Sequence, residues 1–288
     1  MEIKRNNYHM NDESKLYNPY LLNKMQQALD RIIYAINYRE KIVIYGGYGF
    51  DSIAGISILF LVLKYLNADV EYFIPDYMEN ENEINVDSIN NNVKYLGAGL
   101  LITVGCGSNS EKAIEQARNL GIDVIVTDYH KMLSDDIGAL VLNPNSKDCQ
   151  YPFKLLSSAG IIFKLCEAIS AYYTMKCIYK YSDLAMLGTL SSMLSIEGEN
   201  KTIISMGLSH LSRTKNYGIK ALLKINKIEK ITLDQISNLV NQINPSNNLR
   251  NKTNNARIIV ELFTTVDSYK AEQISKYLMK ELTLSNIN

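Results

Sequence analysis

The sequence has no tryptophan, and none of its four cysteines (Cys106, Cys149, Cys166, Cys177) is close enough to another for a CxxC clip. Reduced core thiols follow, the usual state in a cytoplasmic protein. An excess of one charge is also missing. The 30 basic and 30 acidic residues balance, which excludes a uniformly basic nucleic-acid coat but leaves room for a local basic face. The longest apolar run, residues 53–63, is about half of what a bilayer span needs. Residues 1–15 are polar, carry both charge signs and contain no apolar h-region. The expectation is therefore a cytoplasmic protein with no membrane partner. Internal repeats and low-complexity linkers are absent. The acidic stretch from Asp76 to Asp87 lacks the spacing and the glycine of an EF-hand, so it reads as a solvated loop. His9 and His210 fit no motif and read as surface residues.

Apolar residues make up 47% of the 288, enough for a sizeable core in one large domain with an appendage, or in two domains. Leu21, Met25, Ala28, Ile32 and Ala35 recur at helical spacing and predict a helix over 19–37. KIVIY at 41–45 reads as a buried strand that runs into Gly46-Gly47-Tyr48-Gly49 and a helix over 51–66. Further strands are expected at 70–74, 100–104, 123–127 and 139–143, with a helix at 109–120. Alternating strand and helix predicts an α/β fold with a mostly parallel five-stranded sheet flanked by helices. Sites in such sheets lie at the carboxyl ends of the strands, here Gly46–Asp51, Gly105–Gly107 and Asp128–His130. Beyond about residue 150 the pattern turns helical, with segments at 155–175, 181–194, 199–211, 217–225, 232–243 and 255–283. The organisation read from this is a polar tail (1–16), an α/β core (17–150) and a helical region (151–288) that ends in a connector helix.

Charge is unevenly shared. Residues 67–148 hold 14 acidic and 5 basic residues, whereas residues 201–257 hold 10 basic and 2 acidic. The basic stretch reads either as solvated helix faces or as a phosphate-binding face.

KIVIYGGYGFDSIAG resembles the first motif of the DHH phosphoesterases, a strand followed by G-D-Y-D-A-D-G, and in particular that of the RecJ single-strand exonucleases. LLITVGCG and VTDYHK resemble the second and third motifs, V-D-C-G and D-H-H. NPNSKDCQYPFKLLSSAGIIFKL and DLAMLGTLSSML are similar to the following blocks. The resemblance covers roughly residues 17–283, with several motifs in the right order. The competing dinucleotide fingerprint GxGxxG has Ser52 where its third glycine belongs.

The resemblance implies a DHH-type fold and hydrolysis by two divalent ions about 4 Å apart, usually Mn²⁺. Such a pair needs several anionic oxygen ligands to hold it. At the matching positions most are gone. The three Asp of the first motif fall at Gly47, Gly49 and Asp51; the Asp of V-D-C-G, which bridges the ions in the family, falls at Gly105; the first His of D-H-H is Tyr129; the Asp ending the fourth motif is Ser192. Asp51, Asp128 and His130 remain. No metal ligand set is therefore assigned and no cofactor expected; Mn²⁺ or Mg²⁺ enters only if the chain is an active enzyme. The architectural reading of the remnants has Asp51 capping its own helix, Asp128 accepting backbone N–H groups in its turn, and His130 satisfied by hydrogen bonds. The family's second, glycine-rich domain would follow the connector helix and is not expected here.

Phosphate contacts need only cations and amides, so they can outlive catalysis. The resemblance places Asn248 and Lys252 at polar positions of the family's P-R-I-N-A-A-G-R run, and Arg250 adds a charge. The N–H groups of the Gly46–Gly49 turn offer a second anion contact. The functional expectation is a RecJ-like pseudo-exonuclease: an adaptor that binds a protein partner or itself, with single-stranded nucleic acid as a further ligand. The alternatives are an active but atypical metal-dependent phosphoesterase, and a nucleotide or small-molecule binder in the emptied cleft.

Overall fold

The computed structural model describes residues 16–76, 80, 82–134, 136–175, 178–247 and 252–285. In chain order its elements are α1 (Met25–Asn37), β1 (Lys41–Gly46), α2 (Phe50–Tyr65), β2 (Val70–Phe73), α3 (Val86–Ser88), β3 (Ala98–Val104), α4 (Glu111–Asn119), β4 (Asp123–Thr127), β5 (Leu140–Leu142), α5 (Ser158–Tyr172), α6 (Ser182–Ser191), α7 (Gly198–Leu211), α8 (Tyr217–Ile225), α9 (Leu233–Ile243), α10 (Lys252–Thr264) and α11 (Ser268–Ser285). The five strands form one parallel sheet in the order β2-β1-β3-β4-β5. The expected fold class holds. Strand order reverses at β1, whose neighbours are β2 and β3, so a crevice opens at the carboxyl ends of β1 and β3.

The strands are apolar because both faces are covered. Ile42 and Ile44 of β1 point into the core shared with α1, α2 and α5, whereas Val43 and Tyr45 face a second, smaller core under α4. Helix α2 is apolar on nearly all sides, and Ile53, Ile56, Ile58, Leu59, Val62 and Leu63 have no solvent exposure. It packs on the sheet and directly against α5, α6 and α10, so the helical region shares the core of the α/β part. Removing one of these Ile or Leu side chains to Ala would cost about 2–5 kcal/mol.

Three sequence expectations need correction. The helix over 19–37 is two pieces: Pro19–Leu21 makes a single 3-10 turn capped by Asn18, and left-handed Lys24 (φ 60°) delays α1 to Met25. The segment 255–283 is likewise two helices, because the Asp267 carboxylate accepts the N–H groups of Tyr269 (2.8 Å) and Lys270 (3.2 Å) and starts α11 anew. The stretch from Asp76 to Asp87 is not simply a solvated loop. Ile84 is buried in the smaller core, and Asn85 caps α3 through Asp87 N–H (2.7 Å).

A buried ion network fastens the start of the described chain to the helical region. Lys164 has no exposed side-chain surface and pairs with Glu199 (3.1 Å) and Glu167. Glu199 also accepts the Tyr151 hydroxyl (2.6 Å) and the Tyr17 N–H (3.0 Å). Burial raises the Glu167 pKa, with Lys164 opposing it.

Candidate functional site

The carboxyl ends of β1, β3 and β4 bring Asp51, Gly105, Asp128, Tyr129 and His130 into one region. Beyond β1 the chain turns through Gly47, Tyr48 and Gly49, and Gly49 is the N-cap of α2. Asp51 lies in the first turn of α2 but does not cap it, contrary to expectation. Its Oδ2 accepts Ser158 N–H (2.7 Å) and its Oδ1 accepts Ala159 N–H (2.9 Å), so the carboxylate sits on the N-terminus of α5. Four open N–H groups and the positive end of the helix dipole make that a favourable place for an anion. Ser157 completes the end of α5, its hydroxyl accepting Gly160 N–H (3.0 Å). Burial nevertheless dominates: the Asp51 pKa is pushed up to about 6, with the hydrogen bonds pulling it down. Gly188 lets α6 close over this contact. A Cβ there would lie 2.5 Å from Ala159 Cβ and 3.1 Å from Asp51 Oδ1.

Gly105, at the end of β3, has a left-handed backbone (φ +73°), and its N–H donates to Thr127 O (2.8 Å). A Cβ at this position would meet Ser158 Oγ at 2.4 Å and Ser52 Oγ at 2.8 Å. The space a side chain would need is thus filled by two serines, of which Ser52 is anchored on Val104 O (3.2 Å).

Asp128, after β4, is fully buried and fully engaged. Its Oδ2 accepts Ser108 N–H (3.0 Å). Its Oδ1 accepts Tyr129 N–H (2.8 Å) and His130 N–H (3.2 Å) and lies 2.7 Å from His130 Nδ1. That bond to Asp128 raises the His130 pKa, against the opposing effect of burial. The Tyr129 ring stacks on the imidazole, centroids 4.3 Å apart. Burial, with Asp51 and Asp128 adding to it, pushes the Tyr129 pKa to about 12, so its phenol stays protonated at neutral pH. Both carboxylates therefore act on one crevice.

The sequence reading missed the residues that hold this loop. Asn143 Nδ2 donates to Ser108 Oγ (3.0 Å) and His130 O (2.8 Å), and Asn145 Nδ2 donates to Tyr129 O (2.7 Å). Their signal was the Asn143-Pro144 pair after β5, read as a motif but given no role. Ser192 ends α6 with its hydroxyl on Thr189 O (2.8 Å), a capping contact. Asp183, at the other end of α6, is also structural: its carboxylate accepts the Thr214 hydroxyl (2.6 Å) and its pKa is raised by burial. Cys106 is buried, and burial pushes its thiol pKa up, so it offers no thiolate. His210 is half-buried, its ring Nδ1 3.2 Å from Met206 O, rather than a plain surface residue. Asn248 and Arg250 lie outside the described residues, as does His9, and Lys252 opens α10. Among the described residues no group of three or more His, Cys, Asp or Glu side chains comes together as a metal site.

With this geometry established, comparison with known proteins decides the family. The pattern of the DHH family, N-terminal domain, matches residues 41–189. The chain belongs to the DHH family. It is similar to the single-stranded-DNA-specific exonuclease RecJ of Bacillus subtilis, 32% identical over 267 residues that cover 91% of this chain and 33% of that protein. The RecJ of Escherichia coli is 27% identical over 219 residues, covering 71% of this chain and 38% of its own length. Among solved structures, the DHH member shares its fold with an exonuclease RecJ bound to manganese (TM-score 0.81, 23% identity, 91% of this chain, 66% of that one). The RecJ from Thermus thermophilus in complex with Mn²⁺ gives a TM-score of 0.78 at 22% identity, covering 91% of this chain and 38% of that one. The chain thus spans about a third of the length of the first curated relative. No helix among the described residues is long and apolar enough to cross a membrane.

Proposed function

We propose that this DHH-family chain is a RecJ-like pseudo-exonuclease, an adaptor that binds a protein partner or a second copy of itself and takes single-stranded nucleic acid as a ligand without hydrolysing it. The observation that carries the reading is the use of the two remaining carboxylates. All four oxygens of Asp51 and Asp128 already accept backbone N–H groups.

The donor set is unsuited to a pair of dications. Two such ions repel each other strongly, and anionic oxygens must offset that repulsion. Gly47, Gly49 and Gly105 supply no side chain, and Ser52 and Ser158 occupy the volume beside Gly105. A protonated phenol at Tyr129 is a poor ligand for a hard cation. Loss of a single supporting group typically costs about 10–100-fold in metal affinity or activity. The nucleic-acid part of the reading draws on the relatives, named as single-stranded-DNA-specific exonucleases.

The test is to incubate the purified chain with end-labelled single-stranded DNA and Mn²⁺. Retention of intact DNA is expected, weakened by salt and unaffected by a chelator. Chelator-sensitive release of nucleotides, abolished by Asp51→Ala, would establish the active-enzyme alternative instead.

A further inference from the structure

The cationic part of the helical region has a structure of its own, away from the strand-end crevice. Between Arg213 and Lys230 the sequence holds six basic residues and one acidic residue, Glu229. Arg213, Lys215, Lys220, Lys224, Lys227 and Lys230 are all exposed. Helix α8 explains the placement. Ile219 and Leu222 bury its inner face, which leaves Tyr217, Lys220 and Lys224, three or four residues apart, in one outer row, with Lys227 just past the helix end. The cations on the helix follow each other at about 5–6 Å along the axis.

This row rests on a fixed base. Asn216 caps α8 through Ile219 N–H (3.1 Å) and donates to Phe263 O (2.8 Å). Thr214 anchors the preceding turn on buried Asp183 (2.6 Å). Asp183 begins α6, whereas Gly188, nearer its C-terminus, abuts Asp51, so α8 starts at the far end of α6 from the crevice.

The charges are largely unspent. Lys224 pairs with Glu272 (3.1 Å), but Arg213, Lys215, Lys227 and Lys230 make no ion pair among the described residues. Lys220 lies over the Tyr217 ring (5.7 Å), which is 40% exposed. A protein interface would want an apolar centre, and this row has none beyond Tyr217. A row of solvated cations beside one exposed ring suits a flexible polyanion that carries flat groups.

We infer that the α8 face, from Arg213 to Lys230, is a binding site for the phosphate backbone of single-stranded nucleic acid, separate from the strand-end crevice. The cations neutralise successive phosphates, and Tyr217 offers its ring to a base. The site does not depend on whether the crevice hydrolyses anything, so chelator-sensitive cleavage would overturn the pseudo-exonuclease reading and leave this one standing.

The experiment measures binding of the full chain to fluorescein-labelled oligo(dT) by anisotropy across a salt series. Two double variants of equal charge change are compared: Lys227→Ala with Lys230→Ala, and Lys94→Ala with Lys112→Ala on the opposite side of the sheet, where both lysines are also exposed. Each phosphate contact contributes about 0.7 to the slope of log affinity against log salt for single strands. The first variant is expected to flatten the slope by about 1.4 and to weaken binding roughly tenfold at low salt. The second is expected to follow the unmodified chain. Equal losses in both variants, no change in either, or no oligo(dT) binding at all would overturn the proposal. So would sedimentation showing that the Lys227/Lys230 variant dissociates an oligomer while oligo(dT) binding is unchanged, since the face would then dock a second copy.

Discussion

The strand-end crevice and the α8 face treat charge in opposite ways. In the crevice Asp51 and Asp128 are buried, and every carboxylate oxygen is answered by a backbone N–H or by His130. Around α8 the cations stand in water, and Arg213, Lys215, Lys227 and Lys230 make no ion pair among the described residues. A charge consumed by the backbone holds elements together and has little left for a ligand. A solvated charge contributes little to folding but remains available. The comparison separates architecture from recognition within one molecule whose total charge is zero.

The largest effects are expected where charge is most deeply buried. Glu199→Ala takes from Lys164 the fully buried one of its two carboxylate partners and strips the Tyr151 hydroxyl and the Tyr17 N–H of their acceptor, so a loss of about 2–4 kcal/mol is expected in urea denaturation. A loss below about 1 kcal/mol would mean that buried charge is not architectural here. Gly105→Asp, which returns the family's carboxylate, should destabilise by roughly 2–4 kcal/mol, because a side chain is strained at φ +73° and collides with Ser158. It should also fail to create Mn²⁺ binding.

Asp51 makes the stability of the buried crevice depend on pH. Its folded pKa of about 6 lies above its ordinary value of 3.8, so between those two values the folded state binds more protons than the unfolded state. Stability then falls as pH rises from about 4 to about 6, by roughly 2–3 kcal/mol from this group, and levels off above. Asp51→Asn removes that component, which denaturation at several pH values would register as a flatter profile.

His130 is tied to its partner by charge. Its raised pKa means that its pairing with Asp128 stabilises fully below the unfolded value near 6.5, and that this is lost as pH rises through the folded value. NMR titration of the His130 ring should give a midpoint above 6.5, and Asp128→Asn should lower it. The smallest effect is expected on α8. Lys227→Ala with Lys230→Ala should change stability by no more than about 0.5 kcal/mol, because both side chains are exposed.

Much of the fold was legible in the sequence. KIVIY and the runs at 100–104 and 123–127 are short, apolar and bounded by turn residues, and they form the centre of the sheet. Helix boundaries were harder where a single backbone or cap decides them, as at Lys24 and Asp267. The site was legible as a set of positions but not as a set of contacts. Asp51 sits at the start of a helix, so a cap on that helix was the local reading; its partners are 107 and 108 residues further along the chain. Periodicity carries no information at that separation. The serines that fill the volume beside Gly105 likewise come from α2 and α5 and meet only in the folded chain.

Equilibrium dialysis of the purified chain against Mn²⁺, with the bound ion counted per polypeptide, reads out whether the crevice carboxylates are free to hold metal. No stoichiometric retention is expected at micromolar Mn²⁺, since the crevice carboxylates are already committed to backbone N–H groups. Two ions held per chain, lost together on Asp51→Ala, would contradict it.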